Sequence, residues 1–387
     1  MKAPRILIAL LIISFIILSI LGESSGIRTY SIFLAAVSSC SLTLIIVTHR
    51  RLAFPKVASM CFLLFIGWML ISSFFSKDIS QTIWEILRTV SYFGLFLTVY
   101  ALVKNNKSIQ RFLLISFITV GSILLIRDLY NFFSWGYLSS GRYLIGSFYW
   151  HNQMAGFIVI LIPLLLSLFL LIKNLYLKFV LLSAILISLI AIVFTYSRGG
   201  WLSLIASLLL FLALSFKKIK SHIKPLFIMF VIFLISMVVV IKPANIGRKI
   251  ESIKTELSVQ TRSVSGNLRI TVWQNTFKMI KDNPIFGVGP GVFGESYYKY
   301  QNVPWLYAKN AHNHYLEYVA ELGIVGFFLF AAITINAIFM VLAERKVLGD
   351  YAKYPLLIGI IAALFGSAFH ALIDVDWTRI SLYSIYW

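Results

Sequence analysis

The sequence is poor in negative charge and in cysteine. Its 387 residues include 14 acidic residues against 34 lysines and arginines, and only 12% of the residues are charged. The two cysteines, Cys40 and Cys61, lie inside long apolar runs without metal-binding spacing. We therefore expect no disulfide framework and interpret both as packing residues. With 60% hydrophobic residues and a mean hydropathy of +0.90, the composition excludes a soluble globular protein.

Long apolar runs dominate the chain instead. A membrane-crossing helix needs roughly 20 apolar residues, and about twelve such runs predict an all-α integral membrane protein. The first run follows Lys2 and Arg5, as in a signal peptide, but no small-residue cleavage site follows, so we expect a retained helix. The last run is short and stops at Trp387, which leaves open that the natural chain continues. The predicted spans are 6–21, 30–48, 57–75, 82–103, 112–134, 154–172, 178–196, 201–216, 225–241, 316–342, 354–372 and 377–387.

Basic residues are unevenly divided between alternate loops. One set of loops holds seventeen lysines and arginines, and the short loops of the other set hold five. Because cytoplasmic loops are enriched in basic residues, both termini are predicted to lie in the cytoplasm. Topology and attraction to anionic lipids explain the net charge of +20, so the bilayer is the expected partner and nucleic acid is not.

This topology leaves one long connection on the outer side of the membrane. It covers residues 242–315, between predicted helices in 1–241 and in 316–387, and loops of this length are uncommon unless they are functional. An apolar period near its start predicts an amphipathic helix on the membrane surface. The apolar residues of this period are Ile246, Ile250, Ile253 and Leu257.

A second periodic run in the long loop predicts another helix, which begins near Arg269 and ends at Asn283-Pro284. The next segment, Gly287-Val288-Gly289-Pro290-Gly291, could present backbone N–H groups to an anion. It lacks the preceding strand and the Lys-Ser/Thr of a phosphate-binding loop, so a plain tight turn is the better interpretation. The apolar stripe of the helix consists of Ile270, Trp273, Phe277 and Ile280.

Charged side chains occur near the outer ends of several predicted spans. A charge at membrane depth is costly and usually faces a cavity or a partner. Their shared depth therefore predicts a polar cavity open to the outer face, although each close pair could equally be a tie between helices. These residues are Glu85 with Arg88, Arg127 with Asp128, His370 with Asp374, and Arg198.

His312 and His314 lie where the long loop meets the tenth predicted span. Imidazole has a reference pKa of about 6.5, which suits a general base for a hydroxyl nucleophile, whereas a solvated loop histidine is the simpler alternative. Arg198 lies between two closely spaced spans, beside Gly199 and Gly200. The guanidinium of Arg198 could bind a phosphate by two hydrogen bonds, or Arg198 could be an ordinary interfacial arginine.

Three patterns follow one another along the chain: R-x3-L, an arginine-bearing helix with Asn-Pro and a Gly-rich turn, and H-N-x9-G-x-x-G. The residues are Arg198 with Leu202, Leu268-Arg269 through Trp273 to the turn at 287–291, and His312-Asn313 with Gly323 and Gly326. In these patterns and in its predicted topology, the chain resembles the O-antigen ligase and O-antigen polymerase superfamily of bacterial envelope glycan-transferring membrane proteins.

The resemblance implies transfer of a glycan from undecaprenyl pyrophosphate at the outer face of the bacterial cytoplasmic membrane. In the ligases the acceptor is a lipid A-core sugar, and in the polymerases it is another lipid-linked repeat unit. It also implies that Arg198 and Arg269 clamp the pyrophosphate, and that His312 deprotonates the acceptor hydroxyl in an inverting displacement. No cofactor is implied, since two arginines can stabilise the leaving group. The supporting or acceptor-side candidates are His314, Arg88, Arg127, His370 and Asp374.

Other interpretations remain open. Asp374 and Asp376 form a D-x-D pair, a pattern that binds divalent metal in other lipid-linked glycosyltransferases, but two carboxylates are few for a hard cation. We therefore expect no metal, and we expect Asp374 to orient or charge-balance an arginine or His370.

Nothing in the motifs separates a ligase from a polymerase. A transporter would place charges at mid-membrane and break helices in two matching halves, and a non-catalytic scaffold would leave the two arginines and His312 unexplained.

Overall fold

The computed structural model describes residues 27–48, 55–104, 106–136, 143–148, 150–219, 231, 265–302, 306–347 and 354–375. Within these ranges the regular structure is helical and contains no strand, which confirms the all-α class for this part of the chain. Several predictions fall outside the described residues. They are the spans 6–21, 225–241 except Val231, and 377–387, together with the amphipathic helix predicted at 246–257.

The described ranges contain eleven helices. They are α1 (Ile27–Thr48), α2 (Lys56–Ser72), α3 (Ile79–Val103), α4 (Lys107–Ser134), α5 (His151–Leu171), α6 (Leu175–Phe194), α7 (Arg198–Ile219), α8 (Ser265–Asp282), α9 (Phe293–Tyr297), α10 (His314–Val347) and α11 (Tyr354–His370). Seven of them, α2 to α7 and α10, are long and apolar enough to cross a membrane, while α11 is a shorter apolar helix. The total of about twelve spans stays a prediction.

Several helices begin before the apolar runs that predicted them. Side chains of Asp78, Asn106 and Asn174 accept hydrogen bonds of 3.0–3.1 Å from backbone N–H groups in the first turns of α3, α4 and α6. Such N-caps stabilise the first turn by accepting hydrogen bonds from its backbone N–H groups, so the helix begins directly after the cap and ahead of the predicted run. The predicted starts at 82, 112 and 178 are therefore three to five residues late.

The most buried helix is α5. The most apolar 18-residue stretch of α5 is 83% buried, whereas the corresponding stretches of the other candidate spans are 28–39% buried. It packs against α6, α7 and α11, and residues on every side of it join one large apolar core. A helix that is apolar all round can be buried all round, so α5 forms the centre of this part of the protein.

Two further apolar cores lie beside it. One joins α2, α3 and α10 through aromatic side chains such as Phe65, Tyr318 and Phe330. The other lies within the segment predicted as the outer loop, where Val272 and Met279 of α8 pack against Phe293 and Tyr297 of α9. The described part of that segment therefore has a packed apolar interior.

The buried face of α8 differs from the predicted apolar stripe. Ile270 and Phe277 are 52% and 57% exposed, whereas Val272, Thr276 and Met279 are buried. The buried face includes the polar Asn275 and Thr276, and Asn275 donates a hydrogen bond to the Tyr297 hydroxyl of α9. Of the predicted stripe, Ile280 packs against this core while Ile270 and Phe277 are exposed, and the predicted helix end before Asn283 is confirmed.

The Gly-rich turn packs against a break in α10. Gly287, Gly289 and Gly291 all have positive φ, between +69° and +108°, and such angles favour glycine because it lacks a Cβ. The Gly289 N–H donates to the Glu321 carbonyl, and the Gly291 and Phe293 N–H groups each donate to the Glu321 carboxylate, all at 2.9 Å. These N–H groups thus bind α10, which supports the plain-turn interpretation.

The break in α10 lies at Gly323, with φ 68° and ψ −178°. The Leu322 carbonyl accepts a 2.8 Å bond from the Trp68 indole, and the Ile324 N–H donates to Pro284 at 2.9 Å. The Ile285 backbone occupies the place where a Cβ on residue 323 would lie. In this fold, the first glycine of the H-N-x9-G-x-x-G pattern lets the turn and α10 approach each other.

We predict that Gly323→Ala destabilises the protein by at least about 2 kcal/mol. The substitution adds a Cβ at a backbone conformation that is nearly restricted to glycine, and that atom meets the Ile285 carbonyl. Thermal unfolding of the purified protein in detergent measures the effect. Gly67→Ala in α2 is the matched control, because open space surrounds the Cβ it would add. Equal unfolding temperatures for the two variants would contradict the role assigned to Gly323.

Candidate functional site

The site is centred on the carboxylate of Asp374, a buried residue just beyond the end of α11. Its Oδ2 accepts hydrogen bonds from Asn152 at the start of α5 and from Arg269 of α8, the latter at 3.3 Å. Its Oδ1 accepts from the Val375 N–H at 2.9 Å. One carboxylate thus joins α5, α8 and the end of α11.

His312 lies on the other oxygen of the same carboxylate. Its Nδ1 is 3.7 Å from Asp374 Oδ1, which is an ion-pair distance and longer than a hydrogen bond. The imidazole is 42% exposed. His312 also has a φ of 51°, a left-handed conformation that is rare outside glycine and that clusters at functional sites.

The electrostatic balance keeps Asp374 charged. Burial by itself would raise the pKa of its carboxyl, but the contact with His312, the positive charge of Arg269, and His312 and His370 when they are protonated outweigh burial. The pKa is held below its ordinary value, so Asp374 is ionised at neutral pH. The site therefore presents a fixed negative charge between a guanidinium and an imidazole.

The backbone directly before His312 is held from two sides. The Ala311 N–H donates to Glu317 Oε2 at 2.7 Å, and the Ala311 carbonyl accepts from the Trp273 indole at 2.9 Å. The other oxygen of the Glu317 carboxylate accepts from the Asn310 amide at 3.1 Å. Since Trp273 lies one turn after Arg269 on α8, these bonds fix His312 relative to Arg269.

The start of α10 continues this support. Asn313 is its N-cap and accepts a 3.0 Å bond from the Leu316 N–H. The His314 N–H donates to the Ala371 carbonyl at 2.8 Å, and the Tyr315 hydroxyl donates to the Ala368 carbonyl at 2.9 Å. These bonds attach α10 to the end of α11, which carries Asp374.

Arg198 is exposed and is the first residue of α7. A Cβ added to Gly199 would meet Ile373 and come within 3.5 Å of His370 Nε2, and one added to Gly200 would meet Ala155 of α5. The paired glycines therefore allow a close approach of α7 to α5 and to the segment after α11. They bring the start of α7 to the segment that carries Asp374.

The structure does not gather all the candidates at this centre. His370 is fully buried beside it, where a proton on its imidazole would favour the ionised form of Asp374. His314 packs in the apolar core, with its ring centroid 4.3 Å from that of Tyr318. Arg88 pairs with Glu85 on α3. Arg127 hydrogen-bonds Asp128 on α4, so Arg88 and Arg127 lie in separate polar contacts.

Sequence reasoning missed two residues that the site uses. Asn152 binds the Asp374 carboxylate, and Glu317 holds the loop before His312. Both had a visible signal. The polar triplet His151-Asn152-Gln153 opens a long apolar run, and Glu317 is an acidic residue at the start of another, where polar groups are costly unless they are bound.

Within the described ranges, no group of three or more His, Cys, Asp or Glu side chains is arranged to hold a metal ion. Asp376 lies outside the described residues. Metal binding by the D-x-D pair therefore stays an open alternative, and the expectation of no metal stays a prediction.

Fold and site together define a polytopic helical membrane protein with a buried ionic centre at the ends of its helices. Residues 183–331, which include Arg198, Arg269 and His312, match the family model described as O-antigen ligase. The resemblance to the O-antigen ligase and polymerase superfamily is therefore confirmed over this region.

A second comparison matched the chain to a curated protein. An uncharacterized protein of Haemophilus influenzae is 27% identical over 192 residues, which cover 46% of this chain and 47% of the relative. The chain thus spans about half of the length of the curated relative it matches.

We predict that Glu317→Gln lowers the free energy of unfolding by about 1–3 kcal/mol. The amide replaces one acceptor oxygen with a donor, so either Ala311 N–H or the Asn310 amide loses its buried partner. Thermal unfolding measures the effect, with Glu295→Gln at an exposed position as the control. If both variants unfold at the same temperature, Glu317 does not hold this loop.

Proposed function

We propose that the protein transfers a glycan from undecaprenyl pyrophosphate to a hydroxyl of an envelope acceptor, such as a lipid A-core sugar, at the outer face of the cytoplasmic membrane. The observation that carries the proposal is the pairing of Arg269 and His312 on opposite oxygens of one carboxylate, Asp374. A cation for a phosphate leaving group and a base for a hydroxyl are thereby held side by side. The family match over the same residues supports it.

In this proposal His312 is the general base. Its Nδ1 faces the Asp374 carboxylate, which favours a proton on Nδ1 and leaves the lone pair on Nε2. Nε2 takes the proton of the acceptor hydroxyl as its oxygen attacks the anomeric carbon. The ionised Asp374 then stabilises the imidazolium that forms. The partly exposed ring leaves room for the acceptor to reach it.

The two arginines act on the leaving group. As the bond between the acceptor oxygen and the anomeric carbon forms, the bond from that carbon to the pyrophosphate oxygen breaks, and its electron pair leaves with the pyrophosphate. A single displacement of this kind inverts the anomeric configuration. Arg269 and Arg198 stabilise the charge that develops on the pyrophosphate.

Arg269 can act on the leaving group while it holds Asp374. A guanidinium has five N–H donors in a planar fork, and the bond to Asp374 uses Nη2. Its side chain is 30% exposed, so other donors can reach a ligand at the site. Asp374 therefore orients Arg269 without occupying all of its donors.

The same chemistry serves a polymerase, whose acceptor is a second lipid-linked repeat unit. The test is glycan transfer in proteoliposomes with an undecaprenyl-pyrophosphate glycan donor, with or without lipid A-core, in the presence of EDTA. Product on lipid A-core supports the ligase, and chain extension without lipid A-core supports the polymerase. Activity that is abolished by EDTA and restored by a divalent cation would contradict the metal-free reaction.

We predict that His312→Ala lowers the transfer rate by about 100-fold or more, which is the lower range for loss of a general base. The measurement is the initial rate in the proteoliposome assay at saturating donor. Lys309→Ala, an exposed substitution in the same loop, is expected to keep the wild-type rate. Full activity of His312→Ala would refute the assignment.

We also predict that Arg269→Lys lowers kcat/KM for the donor roughly tenfold or more. An ammonium cannot reproduce the planar fork that reaches Asp374 and a phosphate oxygen together. Arg111→Lys is the control, because it makes the same substitution at an exposed position of α4 away from the site. An unchanged donor kcat/KM in Arg269→Lys would remove Arg269 from the proposed clamp.

A further inference from the structure

Four aromatic rings form a cluster next to the Asp374 centre, and the reaction proposed above does not use them. The Tyr143 ring stacks on His151 with centroids 4.5 Å apart and meets Tyr196 edge-on at 5.8 Å. Trp150 lies at 5.2 Å from His151. Tyr143 and Trp150 are each 47% exposed, so aromatic faces of the cluster remain open to a ligand.

The segment that carries Tyr143 is firmly anchored. Asp128 of α4 accepts bonds of 2.8 and 2.7 Å from the backbone N–H and the hydroxyl of Ser147. The Leu144 N–H donates to the Phe194 carbonyl at the end of α6 at 2.9 Å. This explains the Arg127–Asp128 pair, because Arg127 holds the carboxylate that binds the segment. Tyr143 is thus held by bonds to two helices.

The cluster borders the proposed reaction centre on two sides. His151 is adjacent to Asn152, which binds Asp374, and His151 lies within electrostatic range of both Asp374 and Arg269. Tyr196 is two residues before Arg198 and has a left-handed φ of 52°. Such strain in a non-glycine residue is retained where its surroundings enforce it, commonly at binding sites.

The chemistry of the cluster fits a sugar ring. A pyranose presents a face of C–H groups, and these groups pack well against the electron-rich face of an aromatic ring. One face of Tyr143 already rests on His151, which orients its other face outward. Aromatic residues also collect at membrane interfaces, but that preference explains neither the strained Tyr196 nor the place of the cluster beside Asp374.

We propose that Tyr143, Trp150, His151 and Tyr196 form a subsite for the sugar that is attached directly to the donor pyrophosphate. This inference rests on the proposed function, because Arg198 beside Tyr196 sets where the pyrophosphate lies. The subsite places the first sugar on the aromatic rings and its anomeric carbon toward His312. It thereby distinguishes a glycan-bearing lipid from the sugar-free lipid that is released.

The test is lipid binding by the full chain in nanodiscs, with two probes. They are undecaprenyl pyrophosphate carrying one N-acetylglucosamine, and undecaprenyl pyrophosphate without a sugar. Tyr143→Leu is expected to weaken binding of the sugar-bearing probe about three- to tenfold, the effect of losing one aromatic contact, and to leave the sugar-free probe unchanged. Tyr143→Phe keeps the ring and is expected to bind both probes as the wild type does.

Tyr130→Leu is the matched control, since Tyr130 is a 70% exposed tyrosine on α4 outside the cluster. It is expected to bind both probes normally. An equal loss for both probes in Tyr143→Leu would indicate an interfacial or structural role, and no loss for either would also overturn the subsite. Failure of the proposed function looks different, because the wild type would then bind neither probe.

Discussion

The site depends on the pairing and hydrogen bonding of the buried Asp374 carboxylate. A charge in such surroundings is stable only when it is paired and hydrogen-bonded, and Asp374 meets this need with groups from four parts of the chain. Asn152, Arg269 and the Val375 N–H bind it directly, and His312 lies at ion-pair distance. The requirement to satisfy one charge therefore brings residues more than 200 positions apart into one centre.

A second constraint keeps this centre in register with the helices. The break in α10 at Gly323 receives the turn after α8, and the Glu321 carboxylate binds the N–H groups of that turn. One turn earlier, Glu317 binds the loop before His312, and Trp273 of α8 binds the same loop from the other side. Two buried acids on α10 thus fix the segment between α8 and α10, and with it the relation between Arg269 and His312. Removing either acid would leave buried N–H groups without acceptors, which explains why the apolar helix holds two acidic residues.

Much of this could be predicted from sequence because it depends on local physics. Long apolar runs identified α2 to α7 and α10 as candidate spans, and the starts of α3, α4 and α6 were placed a few residues late because Asp78, Asn106 and Asn174 cap earlier first turns. His312 and Arg198 stood out because they lie at the ends of apolar runs, and Arg269 stood out through the family resemblance. The buried face of α8 could not be predicted from apolar periodicity, since it includes the polar Asn275 and Thr276 beside Val272 and Met279, and packing against α9 decides it.

By itself, the sequence determined the helical class, the candidate membrane spans and a short set of candidate residues, since hydropathy and periodicity act over neighbouring positions. Only the tertiary structure decided which candidates meet. It joined Arg269 and His312 through Asp374, added Asn152 and Glu317, and placed Arg88, Arg127 and His314 in other contacts. It also revealed the aromatic cluster around Tyr143, whose members come from separate segments. The reason is that charge pairing and ring stacking depend on distance in space, which spacing along one chain does not specify.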